Sequence, residues 1–173
     1  DFVRRRDRMR EAVAPQALID AVLPLVRLQA RKLDVTIEIV CEERLPAVVC
    51  DRTLVEQVLL NLARNAMQAM DGADHAPGSR VLRLRVARAL PVGATVPADG
   101  RRWLEFSVAD LGCGISEEVA ARLFTPFFTT RPDGMGLGLS LCRTVVEQHG
   151  GALMFEPNRP RGTVFRFTLP AAG

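Results

Sequence analysis

The segment from Asp51 to Gly72, with the sequence DRTLVEQVLLNLARNAMQAMDG, decides the fold. Asp51 is a typical N-cap residue and Asp71-Gly72 is a typical stop, so the segment predicts one long helix that ends near Met70. At 100° per residue, its apolar side chains form a single stripe that has to be buried against another layer. This stripe consists of Val55, Val58, Leu59, Leu62, Ala66 and Met70.

A second, polar stripe borders the apolar one on the same helix. It consists of Asn61, Asn65 and Gln68, at positions i, i+4 and i+7. Carboxamides at the edge of a core are costly unless they find a partner, and two interpretations account for them. They either tie down neighbouring segments or meet the polar end of a ligand, in which case the amide oxygen of Asn65 is available to a hard cation such as Mg²⁺.

The segments around this helix predict an α+β protein. Apolar and polar residues follow a helical period over 15–32, 116–123 and 139–149, and a strand period over 35–40, 47–50, 81–89, 103–110, 152–156 and 163–169. This order favours a two-layer α/β sandwich with a mixed sheet and helices on one face. The Arg-rich residues 1–14 are expected to be a linker or the stub of an upstream helix, and residues 15–173 a single domain.

Charge and composition exclude some classes of function. The chain has 23 basic and 20 acidic residues, and the first ten residues alone contribute five Arg against two Asp, so the remainder is neutral. A nucleic-acid binder is therefore disfavoured, and Arg83 and Arg85 are interpreted as a solvated sheet face that pairs with Glu105. The apolar runs are far shorter than the ~20 residues of a membrane span. The four scattered cysteines fit reduced thiols in a cytoplasmic protein.

Two glycine-rich segments carry the next signals. The first, DLGCGIS from Asp110 to Ser116, follows a strand and enters a helix. It is either an ordinary turn or a loop whose backbone approaches a ligand while Asp110 accepts a hydrogen bond from an exocyclic amine. The second, GMGLGLS from Gly134 to Ser140, runs into a helix N-terminus. It is either a hinge or a cradle for phosphate oxygens, and it lacks the Lys of a Walker motif.

The segment FTPFFTTR, from Phe124 to Arg131, joins these two glycine segments. Its phenylalanines are either plugs of the core or the hydrophobic hinge of a mobile lid. In the second interpretation the lid carries Arg131 towards phosphate.

Taken together, these motifs resemble the ATP-binding catalytic domain of bacterial sensor histidine kinases. The order is NLARNA, DxGxG, FxPFF and GxGxG, and the resemblance covers residues 15–170. The stretch FFTTRPDGMGLGLS looks most similar to the nitrogen-regulatory and oxygen-sensing kinases. This family belongs to the gyrase, Hsp90 and mismatch-repair ATPase superfamily. The resemblance implies a Bergerat fold, ATP and Mg²⁺ as ligands, and transfer of the γ-phosphoryl group to a histidine.

The resemblance also implies roles for individual residues. Asn65 is similar to the family's Mg²⁺-coordinating asparagine, Asp110 to its adenine-binding aspartate, and Thr163 to a hydroxyl that supports Asp110 through water. Arg131 stands where relatives have a Lys near the terminal phosphate, and Gln68 where many have Lys or Arg. The catalytic set implied is Asn61, Asn65 and Arg131. The nucleotide-binding set implied is Asn61, Asn65, Gln68, Asp110, Gly112, Gly114, Ile115, Phe128, Arg131, Gly134, Met135, Gly136, Leu137, Gly138, Leu139 and Thr163.

Position 61 bears on the reaction. The superfamily's hydrolases have a Glu there that activates water, whereas Asn61 cannot accept a proton at neutral pH, which favours phosphoryl transfer over hydrolysis. His75 lies in a loop, and His149 ends a helix, where a cation is stabilised, so His149 is interpreted as structural. Neither His lies in the family's phosphoacceptor string.

The resemblance therefore implies partners outside this chain. They are an upstream dimerisation and phosphoacceptor hairpin and a downstream response regulator, with no nucleic acid and no membrane contact by this fragment. The expected location is the cytoplasm, including the cytoplasmic part of a membrane-anchored sensor. The alternatives are an ATP hydrolase of the same superfamily and a non-catalytic ATP-binding interaction module.

Overall fold

The computed structural model describes residues 9–72, 78–89, 102–125 and 138–172. In these ranges four helices and seven strands follow one another along the chain. They are β1 (Arg10–Val13), α1 (Pro15–Leu33), β2 (Thr36–Cys41), β3 (Val48–Asp51), α2 (Arg52–Ala69), β4 (Val81–Arg88), β5 (Trp103–Ala109), α3 (Glu117–Ala120), α4 (Gly138–Gln148), β6 (Leu153–Pro157) and β7 (Thr163–Pro170).

The main sheet has five strands in the order β2-β4-β5-β7-β6. β2 pairs with β4 in parallel, and the other three pairs are antiparallel, so the sheet is mixed. β1 and β3 form a separate antiparallel ribbon. A bridge between Val48 and Ala171 joins this ribbon to the end of β7.

The core lies between one face of the sheet and the helices. All six residues of the stripe predicted on α2 are buried, and they meet inward side chains of β4, β5 and β7 such as Leu84, Phe106 and Phe167. The rings of Phe106 and Phe167 stack with centroids 5.0 Å apart. The α+β sandwich with a mixed sheet and helices on one face is therefore confirmed.

Local capping follows the sequence. Pro15 begins α1, where its missing N–H costs nothing, and Asp34 ends it in the left-handed conformation with φ of 56°. The Asp51 carboxylate accepts a hydrogen bond from the backbone N–H of Leu54, 3.3 Å away, and so caps α2. Ser116 caps α3 in the same way through Val119.

Two local expectations are corrected by the tertiary structure. Residues 10–13 form a strand and not the tail of a helix, because they complete the ribbon with β3. Glu105 does not pair with the arginines of β4, because its neighbour there is Ala87. It contacts Arg166 of β7 at 2.8 Å, while Arg83 pairs with Glu38 of β2.

The connection between α4 and β6 generates a prediction. A Cβ built on Gly151 would lie 1.9 Å from the carbonyl oxygen of Thr168, which is held in the sheet. We expect Gly151→Ala to destabilise the fold by about 1–3 kcal/mol, the usual cost of overpacking. Gly72→Ala is the matched control, because a Cβ there meets nothing within 4 Å. Thermal unfolding of both variants is the measurement, and equal melting temperatures would contradict the prediction.

Candidate functional site

Asp110 follows the end of β5 and is 3% exposed. Its Oδ1 atom accepts hydrogen bonds from the backbone N–H of Gly112 at 2.8 Å and from that of Thr163 at 3.3 Å. The backbone N–H of Asp110 in turn donates to the carbonyl of Thr163 at 3.0 Å. A buried carboxylate is costly unless it is hydrogen-bonded, so these contacts fix both the side chain and the loop that carries it.

The turn between β6 and β7 supports the same loop. The Asn158 carboxamide donates to the carbonyl of Asp110 at 2.8 Å, and the Arg161 guanidinium donates to the carbonyl of Gly112 at 2.9 Å. Gly162 adopts φ of +100°, and a Cβ there would lie 2.0 Å from the carbonyl oxygen of Asp110. Sequence reasoning missed this support. The available signal was the polar turn NRPRG that precedes Thr163.

The glycine loop rests on the last turn of α2. A Cβ on Gly112 would lie 2.6 Å from the carbonyl oxygen of Ala69, and the Cys113 N–H donates to that carbonyl at 3.4 Å. Gly112 is thus required for packing the loop against the helix. Gly114 has φ of +78°, which L side chains rarely adopt, and the half-buried Ile115 packs against the core.

One side of α2 connects the loop after Asp110 with the start of α4. Ala69, Asn65 and Asn61 are spaced by four residues and so follow one side of the helix over about 12 Å. Ala69 contacts the loop after Asp110, and a Cβ on Gly138 would lie 4.0 Å from Cγ of Asn61. Asn65, which is half-buried, occupies the position between these two contacts.

Asn61 joins α2 to α4. Its carboxamide lies beside the thiol of Cys142, and the Cys142 Sγ lies 3.9 Å from the carbonyl oxygen of Val58. Burial raises the pKa of Cys142 to about 11, although the nearby Asn61 carboxamide acts in the opposite direction, so the thiol is neutral at pH 7. Asn61 therefore ties down a neighbouring helix, and its contact with a ligand stays a prediction.

The remaining predicted residues lie around this line. Thr163 is 4% exposed and its backbone N–H contacts Asp110, while Leu139 is half-buried and packs against the core. Gln68, with Asn61, lines an open groove between α1 and α2. Six predicted residues lie outside the described residues, namely Phe128, Arg131, Gly134, Met135, Gly136 and Leu137.

Phe124, at the start of the phenylalanine-rich segment, packs as a plug. Its ring lies 5.9 Å from that of Phe155, between centroids, and Phe155 contacts Phe165 in the same sheet. The guanidinium of Arg143 on α4 lies 5.2 Å from the Phe124 ring centroid, a distance typical of a cation–π contact. Phe124 is thereby anchored to both β6 and α4.

Comparison with known proteins identifies this arrangement. Residues 50–173 match the family of histidine kinase-, DNA gyrase B- and HSP90-like ATPases. The C4-dicarboxylate transport sensor protein DctS of Rhodobacter capsulatus is 41% identical over 98% of this chain, and the sensor protein FixL of Bradyrhizobium diazoefficiens is 38% identical over 99%. The chain spans only 24% of the first relative and 31% of the second.

Solved structures agree with the sequence relatives. The catalytic domain of the histidine kinase ThkA superposes with a TM-score of 0.75 at 30% identity, covering 94% of this chain and 95% of that one. Full-length ShkA in complex with AMPPNP also gives a TM-score of 0.75, at 27% identity, and covers 95% of this chain and 32% of that one. The chain therefore belongs to the histidine kinase-, DNA gyrase B- and HSP90-like ATPase family, and within it to the ATP-binding catalytic domains of sensor histidine kinases.

Proposed function

We propose that this domain binds Mg-ATP along the side of α2 that runs from Ala69 to Asn61 and donates the γ-phosphoryl group to a histidine on another domain. The observation that carries the proposal is what lies at the two ends of this line. The glycine loop after Asp110 rests on Ala69, and the start of α4 lies against Asn61. An extended nucleoside triphosphate fits such a line with its base at one end and its phosphates at the other.

Asp110 would bind the base. Its carboxylate is held by the Gly112 and Thr163 amides, so its position is fixed before a ligand arrives. An ionised carboxylate is only an acceptor and has capacity for about four hydrogen bonds, so it suits the 6-amino group of adenine. The same carboxylate would face the acceptor oxygen of guanine, which disfavours that base.

The other end of the line suits the phosphates. Backbone N–H groups at the N-terminus of α4 attract anions, and Gly138 leaves the backbone accessible. Within the described ranges no group of three His, Cys, Asp or Glu residues comes together. The resemblance assigns Mg²⁺ to the amide oxygen of Asn65, with phosphate oxygens and water as further ligands, and the ion would neutralise phosphate charge. By resemblance, Arg131 and the glycines at 134 and 136 would contact the same phosphates.

Asn61 favours transfer over hydrolysis. A hydrolase needs a base that accepts a proton from water, and a carboxamide does not supply one. This side chain also lies beside the Cys142 thiol of α4, so it sits where α2 meets α4. The alternatives of an ATP hydrolase and of a non-catalytic module are separated from the kinase by the labelling experiment below.

The acceptor and the downstream partner would lie on other polypeptide segments. ThkA has been solved in complex with the response regulator TrrA, and it covers 94% of this chain at 29% identity. By analogy, we infer that an upstream dimerisation hairpin supplies the phosphoacceptor histidine and that a response regulator receives the phosphoryl group.

In the ranges described, no helix has both the length and the apolar character of a membrane span. We place the domain in the cytoplasm because ATP is its substrate.

Asp110→Asn is expected to impair recognition of adenine. The amide oxygen can still accept from Gly112 and Thr163, so the loop keeps its support, but the amide nitrogen cannot accept from the adenine amine. ATP affinity should fall by about 1–3 kcal/mol, the cost of losing a hydrogen bond to a charged group. Calorimetric titration with Mg-ATP and Mg-GTP measures the effect, and unchanged discrimination between the two nucleotides would contradict it.

Asn65→Ala is expected to abolish the Mg²⁺ dependence of nucleotide affinity while the fold remains intact. The side chain is half-buried and lies off the apolar stripe, so its removal opens no cavity in the core. The control is Arg64→Ala at an exposed neighbouring position on α2, which should keep the Mg²⁺ dependence. An Asn65→Ala variant with a normal Mg²⁺ titration but a lowered melting temperature would show that Asn65 is only structural.

The isolated 173-residue chain is expected to bind ATP without phosphorylating itself or hydrolysing ATP appreciably. Proximity is the main catalytic asset of such a domain, and without an acceptor held near the γ-phosphate an effective molarity of about 10⁵ M or more is lost. Activity should appear when a phosphoacceptor hairpin is joined or added. Acid-labile phosphate on the purified chain is the measurement. Stoichiometric label on His75 or His149 would overturn the proposal, and rapid phosphate release would favour a hydrolase.

A further inference from the structure

His149 is buried at the end of α4, where its side chain connects two elements. The ring is 4% exposed, its Nε2 accepts the backbone N–H of Asp51 at 3.0 Å, and its Nδ1 lies 2.7 Å from the carbonyl oxygen of Val145. These two contacts require a neutral ring with the proton on Nδ1, because only an unprotonated Nε2 can accept from an N–H. The cationic ring expected at this helix end from the sequence is thus corrected.

The surroundings of the ring keep it neutral. Desolvation lowers the pKa of His149 below its ordinary value of 6.5, and the nearby Arg10 guanidinium of β1 lowers it further. The bond to Val145 and the Asp51 carboxylate act in the opposite direction. On its own helix, Glu147 is exposed and pairs with Arg143. These are the charged groups that surround the ring. When the ring is protonated, Nε2 can no longer accept the hydrogen bond from the backbone N–H of Asp51.

The bond between His149 and Asp51 fixes one end of an antiparallel pair of helices. His149 ends α4 beside the residue that caps α2. One step further along both helices, Cys142 contacts Val58 and Asn61, and at the far end Gly138 lies beside Asn61. The contacts thus move towards the C-terminus of α2 as they move towards the N-terminus of α4, as in any antiparallel pair of helices. The position of Asp51 against His149 therefore sets how Gly138 is placed against Asn61.

We propose that His149 is a positioning residue of the nucleotide site, whose neutral ring holds α4 in register with α2 and whose protonation weakens nucleotide binding. The inference rests on the phosphate end of the site proposed above. The strand β1 also contributes to this arrangement, since β1 pairs with β3 and Arg10 donates to the carbonyl of Gln148 at the end of α4. Three elements thus come together around the buried ring, namely β1, the start of α2 and the end of α4.

The sign of the pH effect follows from this geometry. The neutral ring is the form that accepts from Asp51, so its contribution to stability is fully present above about pH 6.5. As the pH falls below that value, the unfolded chain binds a proton more readily than the folded one, and the contribution is lost. Nucleotide affinity should decline as the pH falls through the lowered pKa of the folded state.

The first test compares the chain with His149→Gln. Glutamine places an amide oxygen near the position of Nε2 and does not titrate between about pH 5.5 and 7.5. The ratio of the dissociation constants of Mg-AMPPNP between the lowest pH at which both proteins stay folded and about pH 7.5 should be larger for the unmodified chain, approaching about three- to tenfold once His149 is protonated, the loss typical of one buried hydrogen bond. Titration of the nucleotide phosphates is common to both proteins and cancels in the comparison.

His75→Gln is the matched control, because the chain has only two histidines. This variant should keep the pH dependence of the unmodified chain. An equal pH dependence in the unmodified chain and in His149→Gln would overturn the inference, and so would a pH dependence that disappears with His75. Absence of AMPPNP binding by the unmodified chain at both pH values would instead contradict the proposed function.

A second test uses the unmodified chain and does not depend on whether a variant folds. If protonation of His149 weakens nucleotide binding, saturation with Mg-AMPPNP must lower the proton affinity of His149 by the same three- to tenfold factor, because linkage is reciprocal. NMR titration of the ring nitrogens measures this change, with His75 as the internal reference. An unchanged pKa of His149 on saturation, or a ring with its proton on Nε2, would overturn the inference.

Discussion

The contact between Gly112 and the carbonyl of Ala69 is the constraint on which the site depends. It brings the loop that leaves β5 against the last turn of α2, so the sheet layer and the helix layer meet where Asp110 is buried. Any side chain at position 112 would collide with helix backbone, which cannot shift without moving the apolar stripe below it. The hydrogen bonds of Asp110, Asn158 and Arg161 then fix the loop in that place.

Buried polar groups fix the geometry of the opposite end. Two residues of α4 are fully buried, namely Cys142 and Val146, so the helix makes only a small apolar contact with the rest of the fold. Such a small apolar contact specifies register weakly, since apolar contacts are non-directional. The hydrogen bond from Asp51 to His149 is directional and fixes the register at one point, and the contact of the Cys142 thiol with the Val58 carbonyl adds a second. Nucleotide binding would thus depend on polar contacts that lie beneath the site as well as on those that touch the ligand.

The same architecture serves ATPases and kinases, so the scaffold alone does not choose the reaction. By resemblance, the choice in this chain would fall to a few positions on α2. Asn61 stands where the resemblance places the carboxylate of the hydrolases, and Gln68 stands where it places a cation. Both side chains are half-buried and line the groove between α1 and α2. In the function proposed above, the domain positions ATP and neutralises its charge, and the attacking group comes from a partner.

The sequence by itself determined the helices, most strands, the buried stripe of α2 and the family, because periodicity, caps and ordered motifs are local signals. It did not determine that residues 10–13 form a strand, that Glu105 pairs with Arg166, or that Asn158 and Arg161 support the loop of Asp110. Each of these contacts joins residues far apart in the chain, and strand register selects them. The neutral state of His149 was likewise decided only by tertiary structure, because burial and the N–H of Asp51, 98 residues away, outweigh the local effect of a helix end.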